Sequence, residues 1–269
     1  MTDLGRKLSA LEDRLRDLTP LVVAYSGGVD SSLLAAIAQR TLGPRFLAVT
    51  GVSPSLSQHQ KAQAARVAKS LGFRHRWLTT LELENSDYRA NPSNRCYFCK
   101  DELFRRLREH PEFGHSNLAD GSNACDLKEA RAGRKAAEEQ GVVSPLAEVG
   151  ISKEEVRALS RQIGLETADY PASPCLASRL PYGQKVTAAD LKLVEQAEDE
   201  LRALGFRDFR MRKIGDRGRI ELAADELGRL DRNRGQDICR QLAESTGLAG
   251  LEIDVRPLAS GRLHRESRV

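Results

Sequence analysis

Leu21-Val22-Val23-Ala24-Tyr25, followed at once by Ser26-Gly27-Gly28-Val29-Asp30-Ser31-Ser32, constrains this chain more than any other stretch. An apolar run this short is wrong for a buried helix and right for a central parallel strand covered on both faces. Past the loop, Leu33, Leu34 and Ile37 take up helical spacing. A strand that turns through two glycines into a helix aims backbone N–H groups at whatever lies before the helix, where the dipole favours an anion. Ser26, Ser31 and Ser32 add hydroxyl donors, so the loop suits a pyrophosphate, and Asp30 suits the magnesium that travels with a triphosphate. A Gly-Gly pair alone would mark only a turn. Here serines flank the pair between a clean strand and a clean helix, and the loop is neither the lysine-bearing one of kinases and GTPases nor G-x-G-x-x-G.

The alternation continues. The pattern predicts strands over 46–50 and 74–79, helices over 57–71 and 101–108, short strands over 117–120 and 142–146, and a helix opened by the capping box of Ser152 and Glu155. Ahead of it all, Leu4, Leu8, Leu11, Leu15 and Leu18 form the stripe of an amphipathic helix closed by Pro20. Strands alternating with helices imply an α/β fold, a parallel sheet flanked by helices. The Pro-, Ser- and Gly-rich stretch 171–183 lacks periodicity and marks a domain boundary, giving a main domain over 1–183 and a small α+β domain over 184–269. In the latter the pattern predicts a helix over 187–204, a hairpin over 206–222 turning at 215–218, a helix over 225–244 and a strand over 251–255.

Forty-two Lys and Arg against 38 Asp and Glu leave a net charge of +4, mild for a protein that grips long nucleic acid and better suited to a small anionic substrate. No apolar run reaches the length of a membrane span and the N-terminal segment has no secretory core, so a cytoplasmic protein is expected. Five cysteines in 269 residues are no disulfide scaffold, and in a reducing compartment clustered thiols bind metal or do chemistry.

Cys96-Tyr97-Phe98-Cys99 falls at an expected loop-to-helix junction, and Cys175 lies in the irregular segment Ser173-Pro174-Cys175-Leu176-Ala177-Ser178-Arg179. A helix start, Lys100 and Arg179 would favour thiolates. Three thiolates can hold an iron-sulfur cluster by three irons and leave the fourth open. They can equally be zinc ligands completed by His59, His75, His110 or His115, a redox or persulfide set, or buried packing. Cys125 and Cys239 are solitary and read as small core residues.

At Ser26 to Ser32 the chain resembles the ATP pyrophosphatase (PP-loop, adenine nucleotide alpha hydrolase-like) superfamily, which adenylates substrates and releases pyrophosphate. Three further segments extend the likeness: Asn94 to Lys100, Asp120-Gly121-Ser122-Asn123-Ala124-Cys125-Asp126, and Pro174 to Gly183. Together they resemble the LarE family of ATP-dependent sulfur transferases over nearly the whole chain. The resemblance implies ATP and Mg2+, and as substrate pyridinium-3,5-biscarboxylic acid mononucleotide, whose carboxylates become thiocarboxylates on the way to the nickel-pincer nucleotide of lactate racemase. In the family's sacrificial branch the cysteine matching Cys175 gives up its own sulfur. In its three-cysteine branch, which this chain resembles, the residues matching Cys96, Cys99 and Cys175 ligate a 4Fe-4S cluster. A sulfide or sulfur-donor protein as partner and a symmetric homo-oligomer are implied too, with the leucine stripe of the first helix one candidate contact.

Other residues complete the expected site. Ser178 and Arg179 follow Cys175 closely, where a guanidinium can clamp a phosphate or carboxylate. Asp120, Asn123 and Asp126 follow a short strand, on the edge where ligands of open parallel sheets sit, and are assigned to substrate or, for Asp126 with Asp30, to magnesium. Their bland reading is an Asx turn or helix cap. Arg210 and Arg212 alternate along a strand and would face one anionic ligand, with Glu221 on the paired strand to orient them. The rival functions are a PP-loop iron-sulfur enzyme that thiolates tRNA, which needs a basic surface this charge balance does not offer, and a nucleotide or iron-sulfur sensor without turnover.

Overall fold

The computed structural model describes residues 3–128 and 132–259. In chain order its elements are α1 (Asp3–Asp17), β1 (Leu21–Ala24), α2 (Val29–Leu42), β2 (Phe46–Val52), α3 (Gln58–Leu71), β3 (His75–Thr79), α4 (Ser86–Arg89), α5 (Arg95–Glu109), β4 (Asn117–Asp120), α6 (Ala132–Glu139), α7 (Pro145–Glu148), α8 (Lys153–Gln162), α9 (Ala188–Ala203), β5 (Phe209–Ile214), β6 (Arg217–Leu222), α10 (Ala224–Leu227), α11 (Arg232–Thr246) and β7 (Gly250–Ile253). They fall into two compact units: described residues up to Ser53 with Gln58–Glu82 and Asn94–Ser173, and Pro54–Ser57 with Leu83–Ser93 and the described residues from Pro174 onward.

The first unit is the parallel sheet flanked by helices that the alternation implied. Its strand order is β3-β2-β1-β4, every pairing is parallel, and Ala24 at the end of β1 registers with Val49 on one side and Asp120 on the other. Adjacent residues of β1 feed opposite faces. Val23 joins Ala48, Ala119, Leu33 and Leu34 in one core, while Val22 joins Leu47, Leu118, Phe104 and Leu107 in another. This two-sided burial explains why the strand reads as a continuous apolar run. Each buried Leu or Val contributes about 1.5–3 kcal/mol relative to exposure.

The leucine stripe of α1 packs on this unit's own core, with Leu11 and Leu15 fully buried and Leu4 and Leu8 resting against it. The expected strand over 142–146 is reduced to a bridge between Val143 and Ala119, after which Pro145 opens α7. Proline removes the donor a strand needs and suits the first helical turn. Among the described residues no helix is long and apolar enough to cross a membrane.

In the second unit β5 and β6 form the expected hairpin through Gly215-Asp216, and β7 joins β6 in parallel. Leu201 of α9, Met211 and Ile220 of the sheet and Leu242 of α11 meet in its core. The single helix expected over 225–244 is broken: α10 ends at Gly228, and α11 starts afresh where the Asp231 carboxylate accepts the Arg234 N–H at 2.9 Å.

Candidate active site

Gly27 has φ +75°, and a Cβ there would lie 2.8 Å from the Ala64 Cα. The residue must therefore be glycine twice over, once for its left-handed backbone and once because α3 lies against it. The Gln63 amide donates to the Gly27 carbonyl at 2.9 Å. Ser31 Oγ accepts the Ser26 N–H (3.2 Å), donates to the Gly28 carbonyl (3.2 Å) and lies 3.0 Å from Ser26 Oγ, closing the loop on itself. Ser32 is fully buried in the first turn of α2. That helix begins at Gly28 without a side-chain cap, so its leading N–H groups are not claimed by a capping side chain.

β4 brings a second loop to the same place. A Cβ on Gly121 would sit 2.8 Å from the Ser31 N, so the Asp120 to Asp126 segment is pressed onto the start of α2. Buried Asn123 donates its amide to Asp30 Oδ1 (3.1 Å), accepts the Cys125 N–H (2.9 Å) and gives its own N–H to Asp126 (3.0 Å). The Asx-turn reading of Asn123 and Asp126 thus coexists with a contact to the phosphate loop. The other Asp30 oxygen receives Lys153 Nζ at 2.5 Å. Asp120 is buried and accepts from Lys100 Nζ (2.8 Å), Ser144 Oγ (2.8 Å) and the Ser122 N–H (3.0 Å). Burial opposes its ionisation, but the Lys100 charge and these donors outweigh it and hold the carboxyl below its ordinary range. Asp30, Asn123 and Asp126 are therefore brought together, while Asp120 is turned to Lys100. Among the described residues no group of three or more His, Cys, Asp or Glu side chains gathers as a metal site.

The thiols are carried by both units. Cys96 is exposed in the first turn of α5 and Cys99 half-buried just past it, in a helix that starts at Arg95 rather than near Lys100. A spacing of three puts both on one side of the helix. Apolar periodicity missed this turn because the side chain it buries is an arginine, Arg95.

Cys175, half-buried, belongs to the second unit and precedes a single 3-10 turn over Leu176–Arg179. Ser178 Oγ donates to the Cys175 carbonyl (2.7 Å), and the Leu176 N–H donates to the Ser55 carbonyl (2.9 Å). Arg179, expected to face a substrate anion, is 3% exposed and bonds the Glu198 carboxylate (2.7 and 3.2 Å), the Pro174 carbonyl (2.7 Å) and Ser178 Oγ (2.9 Å). A buried guanidinium must be satisfied by protein, and this one is spent on shaping the cysteine loop. Arg212 likewise bonds Glu221 (2.9 and 3.1 Å), diagonally across a register that sets Glu221 opposite Arg210, and the Ser178 carbonyl (2.7 Å). Arg210 shares its face; burial, then the charge of Arg179, pushes its guanidinium down to about 10. Cys239 packs against the core of this unit, where burial pushes its thiol up, and Cys125 accepts the Lys153 N–H at 3.5 Å.

A family model described as asparagine synthase matches residues 8–124, the stretch from α1 through the phosphate loop to Ala124. The chain is 40% identical to an uncharacterised protein of Synechocystis over 97% of its length and 98% of the relative's. An uncharacterised protein of Methanocaldococcus jannaschii is 28% identical over 76% of this chain and 81% of that one. The pyridinium-3,5-bisthiocarboxylic acid mononucleotide synthase of Lactiplantibacillus plantarum is 32% identical over 98% of this chain and 96% of the synthase. The chain belongs to the LarE family. It is thereby placed among ATP-using PP-loop sulfurtransferases.

Within this LarE-family chain, three pairings have little or no local signature in the sequence. Lys153 follows the recognised capping residue Ser152, and a cation at a helix start, against the dipole, was the signal for it. Lys100 shows in sequence only its place beside Cys99, and nothing local marks its pairing with Asp120. Glu198 sits on an amphipathic helix among ordinary surface charges, with no local sign that it is buried.

Proposed function

We propose that this LarE-family chain adenylates a carboxylate of pyridinium-3,5-biscarboxylic acid mononucleotide and converts it to a thiocarboxylate. The similarity to the L. plantarum synthase, which spans nearly the full length of both chains, carries the reading. A carboxylate oxygen of the substrate attacks the α-phosphorus of ATP and pyrophosphate leaves. A sulfur nucleophile then attacks the activated carbonyl carbon, and AMP leaves with the bond pair. The loop Ser26, Gly27, Gly28, Ser31 and Ser32, at the uncapped start of α2, would grip the phosphates. Asp30, with Asp126 nearby through Asn123, would serve Mg2+, the two carboxylates being oxygen donors of the right kind. Arg210 would attract the substrate phosphate together with whatever charge Glu221 leaves to Arg212, while Arg212, Ser178 and Arg179 hold the Cys175 loop in shape.

For the sulfur step, Cys96 and Cys99 lie three apart on one helix and Cys175 opens the loop of the second unit, and three such thiolates are the ligand type that a 4Fe-4S cluster held at three irons would need. When bound, such a cluster would supply an open iron able to carry an extra sulfide, delivered as sulfide or by a donor protein. The reading requires Cys175 to meet the Cys96 and Cys99 turn. A sacrificial Cys175 is the second possibility, since its half-buried thiol stands on a loop whose carbonyls are held by the Ser178 and Arg179 side chains. Transfer to tRNA is the less favoured reading, because a net charge of +4 offers little to a polyanion.

The test is anaerobic purification with iron and sulfide analysis, then turnover with ATP and the biscarboxylated mononucleotide, reading AMP, pyrophosphate and intact protein mass. Thiocarboxylate product with unchanged mass supports cluster-fed sulfur. A loss of about 34 Da, one hydrogen sulfide, assigns the sulfur to Cys175. ATP binding without pyrophosphate release would sink the proposal in favour of a sensor.

A further inference from the structure

The pair formed by Asp30 and Lys153 is not explained by stability. It joins residues 123 positions apart at 2.5 Å, with the two side chains 25% and 36% exposed, and an ion pair that open to water adds little to folding. Yet the chain is built to aim this lysine. Lys153 is the first residue of α8, fixed from behind by the Ser152–Glu155 capping box. From the side, the Ala124 N–H donates to the Ile151 carbonyl (2.8 Å) and the Lys153 N–H to Cys125 Sγ (3.5 Å), tying the helix start to the Asp120 to Asp126 loop. A cation at that position opposes the helix dipole, so its own helix gains nothing from it. What it does reach is Asp30, in the first turn of α2, at the uncapped helix start.

We infer that Lys153 is an exchangeable counter-cation of the phosphate loop: it neutralises Asp30 while no nucleotide is bound and passes to the triphosphate when ATP and a divalent cation enter. The inference rests on the reading of Ser26 to Ser32 as the ATP loop and adds to it a residue that positions the phosphates. The charges require the move. A divalent cation that takes Asp30 displaces the ammonium, and the incoming phosphates offer it a stronger partner within reach of its flexible stem. Asn123 keeps the other Asp30 oxygen in place during the exchange.

Two binding measurements on the full chain test this, using wild type, Lys153→Met and Lys153→Arg, each shown folded by circular dichroism. Calorimetry reads ATP affinity with Mg2+ present, and electron paramagnetic resonance of free Mn2+ reads divalent binding without nucleotide. Lys153→Met is expected to bind ATP about tenfold or more weakly, the scale of one charge-assisted hydrogen bond. Nucleotide-free Mn2+ binding is expected to tighten, because Asp30 loses its competitor; Lys153→Arg should restore most of the ATP affinity. A lysine that merely holds the fold would move both affinities the same way. Either change without the other overturns the exchange. If Lys153→Met does not fold, Lys153→Gln is read on the same two scales. Wild type that binds no ATP overturns the loop reading itself, and unchanged affinities in a folded variant overturn only the lysine's part in it.

Discussion

Arg179 and Glu198 are joined by two hydrogen bonds, at 2.7 and 3.2 Å, with 3% and 1% of their side chains exposed. The same carboxylate accepts the Met211 N–H of β5 at 3.2 Å and Arg202 of α9 at 3.2 Å. One acidic residue thus ties a helix, a strand and the turn after Cys175 together. Removing one partner of such a pair strands a charge, which costs far more than the intact pair contributes.

Glu198→Gln is therefore expected to destabilise the second unit by about 3 kcal/mol and to quicken alkylation of Cys175 by iodoacetamide, read by peptide mass spectrometry. Burial raises the pKa of Glu198, but the charge and hydrogen bonds of Arg179, then the Met211 N–H and Arg202, outweigh it and leave it below the ordinary value. A depressed carboxyl stabilises the fold above its unfolded pKa and loses that contribution as pH falls through the folded one. The wild type should lose this support below about pH 4. Denaturant melts of the variant that keep the same acid dependence would count against this assignment.

Gly27→Ala faces both a φ of +75° and the Ala64 Cα at 2.8 Å. A left-handed alanine alone costs about 1–2 kcal/mol, and the clash must push α3 from the loop. Gly247→Ala is the control, at φ 71° with nothing within 4 Å. Thermal melts should show the larger loss at Gly27, and ATP binding should fall there and not in the control.

Lys100→Met leaves the buried Asp120 carboxylate without its cation. Lys100 is 37% exposed, so screening keeps the expected loss near about 1–2 kcal/mol. Asp120 is depressed below its ordinary range, so the stability that Lys100 supports is present at neutral pH and disappears on acidification through the folded pKa. Melts of wild type and variant should differ most at neutral pH and converge in acid. A gap that stays constant down to low pH would refute the linkage.

Tyr25 closes the strand before the phosphate loop, and its hydroxyl donates to the Ala64 carbonyl at 3.2 Å. Burial pushes it up to about 12. Because the folded pKa is the higher one, the fold keeps this contribution below the unfolded value, about 10, and loses it as pH rises from there through the folded value. Ultraviolet titration of the native chain should show a late tyrosine step near the folded value, and Tyr25→Phe should remove that step.

By itself the sequence determined what repeats locally. The apolar run of β1, the glycine loop and the start of α2 announce themselves within a few residues, as do the leucine stripe of α1, the capping box of α8 and the β5–β6 hairpin. Each is made by neighbours in the chain, so its spacing is the structure. Tertiary structure decided the rest. It buried Arg95 in the first turn of α5 and so hid that turn from apolar periodicity, and it opened α7 with Pro145 where an apolar run suggested a strand. It turned Arg179 from substrate toward Glu198 and brought Lys153 to Asp30 across 123 residues of chain. A charge in a sequence has a sign but no partner; the partner depends on where the path of the whole chain sets the opposite charge, and on whether water remains between them.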